Sequence, residues 1–236
     1  MVVSVEAGKE DRDLTSQHGA RFPGGVADIA REVAFIGNGG GIDSIDLRSG
    51  HRRWRSTSAI APLTLLDNGS ELVAAGFDDG KMFIVTIEND SGDMRKRWDL
   101  SPGVFVSAQT CEIATEFRES KLDIIWNVHS RYKGGANLSP GAEQRFHIDA
   151  SGMVEINLGS RAIEKQERTN LEDLSSKHQW PNDLIELTVN DRIYSIRPGR
   201  GQETGLSLVA RDRGVDRVLW EYPLVGVAKA SPRQRP

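Results

Sequence analysis

Val33-Ala34-Phe35-Ile36-Gly37-Asn38-Gly39-Gly40-Gly41 leads through a short apolar strand to Ser49-Gly50-His51-Arg52-Arg53-Trp54. The chain then writes the same thing again. Leu72-Val73-Ala74-Ala75-Gly76-Phe77-Asp78-Asp79-Gly80 leads to Ser91-Gly92-Asp93-Met94-Arg95-Lys96-Arg97-Trp98. Each copy is an apolar run, a glycine turn, a second apolar run, another glycine turn and a charged strand carrying a tryptophan. Glycine serves at such turns because it takes positive φ without steric cost.

Working outward, each copy resolves into four short strands. The first unit reads Val26–Ala30, Val33–Gly37, Ile42–Leu47 and His51–Ser56; the second reads Pro62–Leu66, Leu72–Gly76, Met82–Ile87 and Met94–Leu100. Four-stranded units recurring at roughly forty residues predict an all-β fold, a β-propeller of antiparallel blades. A third, looser unit takes in Leu122–Val128 and Phe146–Ile156, the latter read as a hairpin turning at Ser151-Gly152 with Ile156 in the tryptophan slot. A fourth runs from Leu184 to Tyr222, with its last turn at Asp212-Arg213-Gly214 and its tryptophan at Trp220. Four repeats are thus recognisable, and Val2–Val5, Val104–Thr115 or Val225–Ala228 would furnish a fifth. The charged stretch 161–179 fits either a strand plus a loop or a short exposed helix. Residues 1–24 read as a polar arm, 25–224 as the propeller and 225–236 as a tail.

Composition agrees with short strands and many turns. Of 236 residues, 24 are glycine, which is many, and 38% are hydrophobic, which is somewhat low for a globular protein. A net charge of −4 supplies no global attraction to nucleic acid or to an anionic membrane surface. The single cysteine, Cys111, excludes an intramolecular disulfide. The first residues carry charges before any apolar run, and no apolar stretch is long enough to span a bilayer, so a soluble cytoplasmic protein is expected.

The hairpin Ser44-Ile45-Asp46-Leu47-Arg48-Ser49-Gly50-His51-Arg52-Arg53-Trp54 resembles the repeat of pyrroloquinoline-quinone-type (quinoprotein-like) propellers through Asp46, Ser49, Gly50 and Trp54. Asp149, Ser151 and Gly152 match that repeat less closely, as do Asp212, Gly214 and Trp220. WD-repeat propellers are near neighbours, and Trp98-Asp99 closes the second unit with that dipeptide. The resemblance implies a toroid in which the tryptophan of each outer strand docks against the next blade. It implies no particular chemistry, because such propellers include both dehydrogenases and inert scaffolds.

Residue constellations with chemical potential each meet a plainer reading. The run Gly37-Asn38-Gly39-Gly40-Gly41 lacks the lysine and hydroxyl of a phosphate-binding loop and reads as a turn. Arg48, His51, Arg52, Arg53 and Arg55, echoed by Arg95, Lys96 and Arg97, fall on outermost strands, where charge blocks edge-to-edge aggregation. Asp28, Glu112 and Glu186 lie on innermost strands, where a central channel would hold Ca²⁺ or a quinone in a propeller enzyme. The five histidines show no metal-ligand spacing, and no serine nucleophile motif occurs. No cofactor is therefore expected. The favoured function is a non-catalytic scaffold that binds another protein through its loop face, with Arg131, Tyr132, Lys133, Trp180 and Arg200 as candidate contact residues. The alternative is an enzyme or small-ligand binder at the channel mouth. An arc of four blades would also invite oligomerisation to complete the ring.

Overall fold

Strict alternation along each strand gives every sheet two buried faces, and that decides how the sheets stack. The computed structural model describes residues 20–22, 25–60, 62–78, 81–100, 110–118, 120–131, 146–168, 186–198 and 206–224. They form four antiparallel meanders and no helix. The first blade contains β1 (Ala20–Phe22), β2 (Gly25–Asp28), β3 (Val33–Gly37), β4 (Ile42–Asp46) and β5 (Arg52–Ser56). The second contains β6 (Thr64–Asp67), β7 (Glu71–Asp78), β8 (Lys81–Glu88) and β9 (Met94–Leu100). The third is β10 (Thr110–Arg118), β11 (Lys121–Arg131), β12 (Phe146–Asn157) and β13 (Ala162–Arg168); the fourth is β14 (Glu186–Val189), β15 (Arg192–Pro198), β16 (Leu206–Asp212) and β17 (Val218–Leu224). The chain is thus an all-β protein of four-stranded antiparallel propeller blades.

Odd and even positions of one strand serve different neighbours. In the first blade, Val26, Val33, Phe35 and Ile42 pack on Leu65, Leu72, Ala74, Phe83 and Val85 of the second. The opposite face, with Ala27, Ala34, Ile36, Ile45 and Leu47, packs on Leu187, Tyr194, Leu208, Ala210 and Leu224 of the fourth. The other face of the second blade meets Leu122, Ile124, Trp126, Val154 and Ile156 of the third. The four blades therefore stack in the order fourth, first, second, third.

A β-bulge recurs at one place in all four blades, where the outermost strand pairs with its neighbour. It falls between Ser44 and Ile45, Thr86 and Ile87, Glu155 and Ile156, and Ala210 and Arg211. Aligned on this bulge, the partners of Ser44, Thr86, Glu155 and Ala210 are Trp54, Lys96, Lys165 and Trp220. Trp54 and Trp220 occupy one slot, and each docks on the following blade. The Trp54 indole Nε1 donates to Asn89 O at 2.8 Å, and Trp220 Nε1 donates to Leu47 O at 3.2 Å. Trp98 lies two residues past this slot, contrary to expectation, and packs into the core between the second and third blades.

The turn before each outermost strand closes in one way. Asp46 N donates to His51 O, Glu88 N to Asp93 O and Asp212 N to Arg217 O. The residue preceding the acceptor is left-handed in every blade: Gly50 at φ 75, Gly92 at φ 79, Arg161 at φ 59 and Asp216 at φ 49. Gly214 and Gly152 therefore do not hold the turn positions expected of them. Gly152 lies inside continuous strand β12, opposite Trp126, where a Cβ would come within 2.5 Å of the indole. The third-blade hairpin turns instead at residues 158–161. Of the ambiguous stretch 161–179, Ala162–Arg168 is a strand. Ala20–Phe22, within the stretch expected to be an arm, adds a fifth strand to the inner edge of the first blade. Thr110–Thr115 belongs to the inner strand of the third blade; Val2–Val5 and Val225–Ala228 lie outside the described residues.

Candidate functional site

A meander of four strands puts its first and third turns at one end and its middle turn at the other, together with the link to the next blade. At the first end every described turn is short: 29–32, 47–51, 68–70, 89–93, 158–161, 190–191 and 213–217. The strand ends at the opposite end bracket the long connections, residues 57–63, 101–109, 132–145, 169–185 and 199–205. Arg131 closes β11 at that end, with its side chain outside the described set. Tyr132, Lys133, Trp180 and Arg200 fall in those connections and also lie outside the described residues.

Of the connection between the first two blades, residues 57–60 and 62–63 are described, and they are tied to the sheets on both sides. Ala59 is fully buried between the blades, while Ile60 and Leu63 are 52% and 51% exposed. Leu63 N donates to Ala75 O at 2.9 Å, which fixes the segment to β7. Arg97 holds its other end. Its guanidinium donates to Ser58 O at 3.1 Å and pairs with Asp99 at 2.9 Å, while stacking over the Phe83 ring at 5.2 Å. Gly76 is required underneath, because a Cβ there would meet Phe83 Cζ at 2.8 Å and crowd Leu63 N at 3.3 Å. Two large apolar side chains are thus presented on backbone already ordered, so a partner covering them bears little further ordering cost. Full burial of each would contribute roughly 1.5–3 kcal/mol.

Arg52, Arg53, Arg55, Arg95, Lys96 and Arg97 lie on outermost strands β5 and β9, as expected, whereas Arg48 and His51 fall in the turn before β5; the cluster is neutralised largely within its own sheets. Arg53 pairs with Asp46 at 2.6 Å, Arg48 with Glu32 at 2.7 Å and Arg95 with Glu88. Burial acts to raise the Asp46 carboxyl, but the Arg53 hydrogen bond, the backbone N–H and hydroxyl of Ser49 and the Arg53 charge outweigh it, lowering it to about 2. Arg52 and Arg55 flank fully buried Asp43 at 3.8 Å each. That carboxylate accepts from Asn38 Nδ2 at 2.5 Å and from the Tyr222 hydroxyl of the fourth blade at 2.9 Å. Burial, followed by the Asp43 carboxylate, pushes the Tyr222 hydroxyl above the ordinary phenol range.

On the short-turn end, Glu32, Leu47, Arg48, Val189, Asn190, Asp191, Arg192 and Tyr194 line a cleft of about 220 Å³ between the first and fourth blades. That is below the roughly 300 Å³ at which small-molecule sites begin. Several of its donors are already engaged. Tyr194 Oη donates to Leu47 O at 3.0 Å and Arg192 donates to Arg48 O at 2.7 Å. The cleft is a polar weld between blades.

Of the three inner-strand carboxylates, Asp28 and Glu186 lie at opposite ends of their blades, and the Glu112 side chain lies outside the described set. Asp28 ends β2 at the short-turn end and accepts from Arg31 N at 3.0 Å. Glu186 begins β14 at the opposite end, paired with Arg197 at 3.1 Å and Arg211 at 2.8 Å. Glu112 contributes only its backbone pairing with Asn127 to the description. Among the described residues no group of three or more His, Cys, Asp or Glu side chains is placed to hold a metal ion. Residues 38–41 form a plain hairpin turn, Asn38 N donating to Gly41 O at 2.9 Å and Gly41 N to Asn38 O at 3.1 Å. No helix among the described residues is long and apolar enough to cross a membrane.

Sequence reasoning missed three residues that organise this region. Ile60 lies between expected strands without a signal of its own, and Leu63 falls inside the expected strand Pro62–Leu66, whereas the strand begins at Thr64. Arg161 gave no signal, because a left-handed arginine is not written in a turn motif. Its guanidinium donates to Thr86 Oγ1 at 2.9 Å and pairs with Glu71, joining the third blade to the second.

No protein-family model matches the chain, and no curated protein matches it. Solved structures that align with it include the hydrazine synthase of Kuenenia stuttgartiensis, at 12% identity and a TM-score of 0.35, over 93% of this chain and 53% of that one. A europium-containing methanol dehydrogenase aligns at 11% identity and TM-score 0.41, over 93% of this chain and 44% of that one. The Dos1 propeller aligns at 10% identity and TM-score 0.36, over 82% of this chain and 45% of that one. The chain spans about half the length of these structures.

Proposed function

We propose that this chain is a non-catalytic propeller scaffold that binds another protein on the face carrying the long connections. The observation that supports it is the pair Ile60 and Leu63, each half exposed, beside Ser58 pinned by Arg97 and with the Leu63 backbone pinned to Ala75. Exposed apolar side chains rimmed by charge suit the centre of a protein contact. Arg55, Asp78, Lys81, Arg97 and Asp99 sit at strand ends on that face and supply the rim.

The test compares two double variants in affinity capture from the native host, read by quantitative mass spectrometry. Ile60→Ser with Leu63→Ser removes the loop-face pair. Met94→Ser with Val215→Ser removes exposed apolar groups at the opposite end. With thermal midpoints matched, captured proteins are expected to be lost from the first variant and retained by the second. Equal recovery by both variants would overturn the reading.

A further inference from the structure

Three blade junctions carry apolar clusters: fourth to first, first to second and second to third. Among the described residues no such cluster joins the third blade to the fourth. The flanks at that junction follow from alternation. On β11, Leu122, Ile124 and Trp126 face the second blade, so Asp123, Ile125 and Asn127 face away. On the fourth blade, Leu208 and Ala210 face the first, so Ser207, Val209 and Arg211 face away, with Ser195 and Glu186 on the neighbouring strands. Asp123, Asn127, Ser195 and Ser207 are all buried, so these flanks mix polar groups with Ile125 and Val209 where the other junctions hold continuous apolar clusters.

The wedge is missing too. As at the second-to-third junction, with its Lys96 and Arg161, the docking slot that would reach the fourth blade holds Lys165 rather than tryptophan and the receiving turn holds Asp216 rather than glycine. But Arg161 bridges to Glu71 and Thr86 of the second blade, whereas Asp216 pairs with Arg211 of its own blade. At the bulge, Ile45, Ile87 and Ile156 of the first three blades give way to Arg211. Arg211 is held by Glu186 and Asp216, and its Nε has no hydrogen-bond partner; nor does Asn127 Oδ1 on the third-blade flank. Buried polar surface contributes little to adhesion, and each unsatisfied group subtracts from it.

We infer that the third-to-fourth junction is the opening of this propeller: the two blades separate there while the other three junctions stay packed. This inference stands apart from the proposed partner site, because it concerns sheet flanks and not the loop face. The device lets the arc change curvature without unfolding a blade.

Spin labels measure it directly. In a Cys111→Ala background, one pair is placed at Gln166→Cys and Arg217→Cys across the opening, and a reference pair at Arg53→Cys and Asp93→Cys across the wedged first junction. Packed sheets lie about 10 Å apart, so the reference pair is expected to give one narrow, short distance. The pair across the opening is expected to give a broad distribution extending to longer distances. A distribution as narrow and short as the reference would overturn the inference. Grafting the wedge with Lys165→Trp, Arg211→Ile and Asp216→Gly is expected to narrow the broad distribution; a folded graft that leaves it broad would also count against the inference. Should the graft fail to fold, the first comparison decides alone.

Discussion

The indole of Trp220 lies flat on the backbone of Gly50, and a Cβ at position 50 would sit 2.5 Å from its Cδ2. The same relation joins Trp54 to Gly92, where the gap would be 2.7 Å. Glycine is needed at these two turns for its absent side chain as much as for its positive φ. Where no indole arrives, Arg161 and Asp216 take the left-handed conformation instead. Indole and glycine are one device, present or absent together.

Gly50→Ala is accordingly expected to destabilise the fold by about 2–4 kcal/mol, combining overpacking against Trp220 with strain at positive φ. Gly214→Ala, where a Cβ meets only Asp212 Oδ1 at an ordinary 3.4 Å, is expected to change stability by no more than about 0.5 kcal/mol. Urea denaturation of the two variants checks the contrast.

Trp54 combines packing with one hydrogen bond. Trp54→Phe should lose the bond to Asn89 O at a cost of about 1 kcal/mol, whereas Trp54→Ala should cost about 3–5 kcal/mol. Equal losses for both would mean that the indole N–H, and not its area, dominates the docking.

Arg161 stands in for an indole between the second and third blades. Arg161→Ala leaves Glu71, whose side chain is 14% exposed, without its cation. The expected loss is about 1–3 kcal/mol. Arg161→Ala with Glu71→Gln should recover part of it, and a double-mutant cycle by thermal unfolding reads the coupling.

Asp46 gives acid sensitivity with a defined sign. Against burial, Arg53 and Ser49 hold its carboxyl down to about 2 in the folded chain, below the ordinary aspartate value of 3.8. Its stabilisation is therefore present above pH 4 and is lost as pH falls from about 4 towards 2. Asp46→Asn should be less stable than the parent at pH 7 by roughly 1–2 kcal/mol, allowing for partial solvent screening. The difference should close near pH 2, as followed by denaturation at a series of pH values.

The first two blades were readable because their turns are short, carry glycine and sit at one spacing. The third was obscured by Gly152, a glycine present to make room for the Trp126 ring across the strand and not to turn the chain. Its real turn uses Arg161, whose backbone is held by contacts to Glu71 and Thr86 that lie 90 and 75 residues away in sequence. Trp98 misled through its resemblance to Trp54; only the bulge register separates the two by two residues. The candidate contact residues of the loop connections were inferred from length alone, and length does not say which side chains are held in place. Ile60 and Leu63 emerged because Arg97, on a strand distant in sequence, fastens the segment between them and β5.

The two ends of the disc carry different evolutionary freedom. Bulges, docked rings and the Leu47 carbonyl that gathers Tyr194 and Trp220 all belong to the sheets or to the end with brief turns. Insertions and exchanges at the other end can accumulate without disturbing any of these welds. One side of the molecule is thereby free to acquire new specificities while its opposite side preserves the architecture, which also recommends that side for grafting foreign peptides.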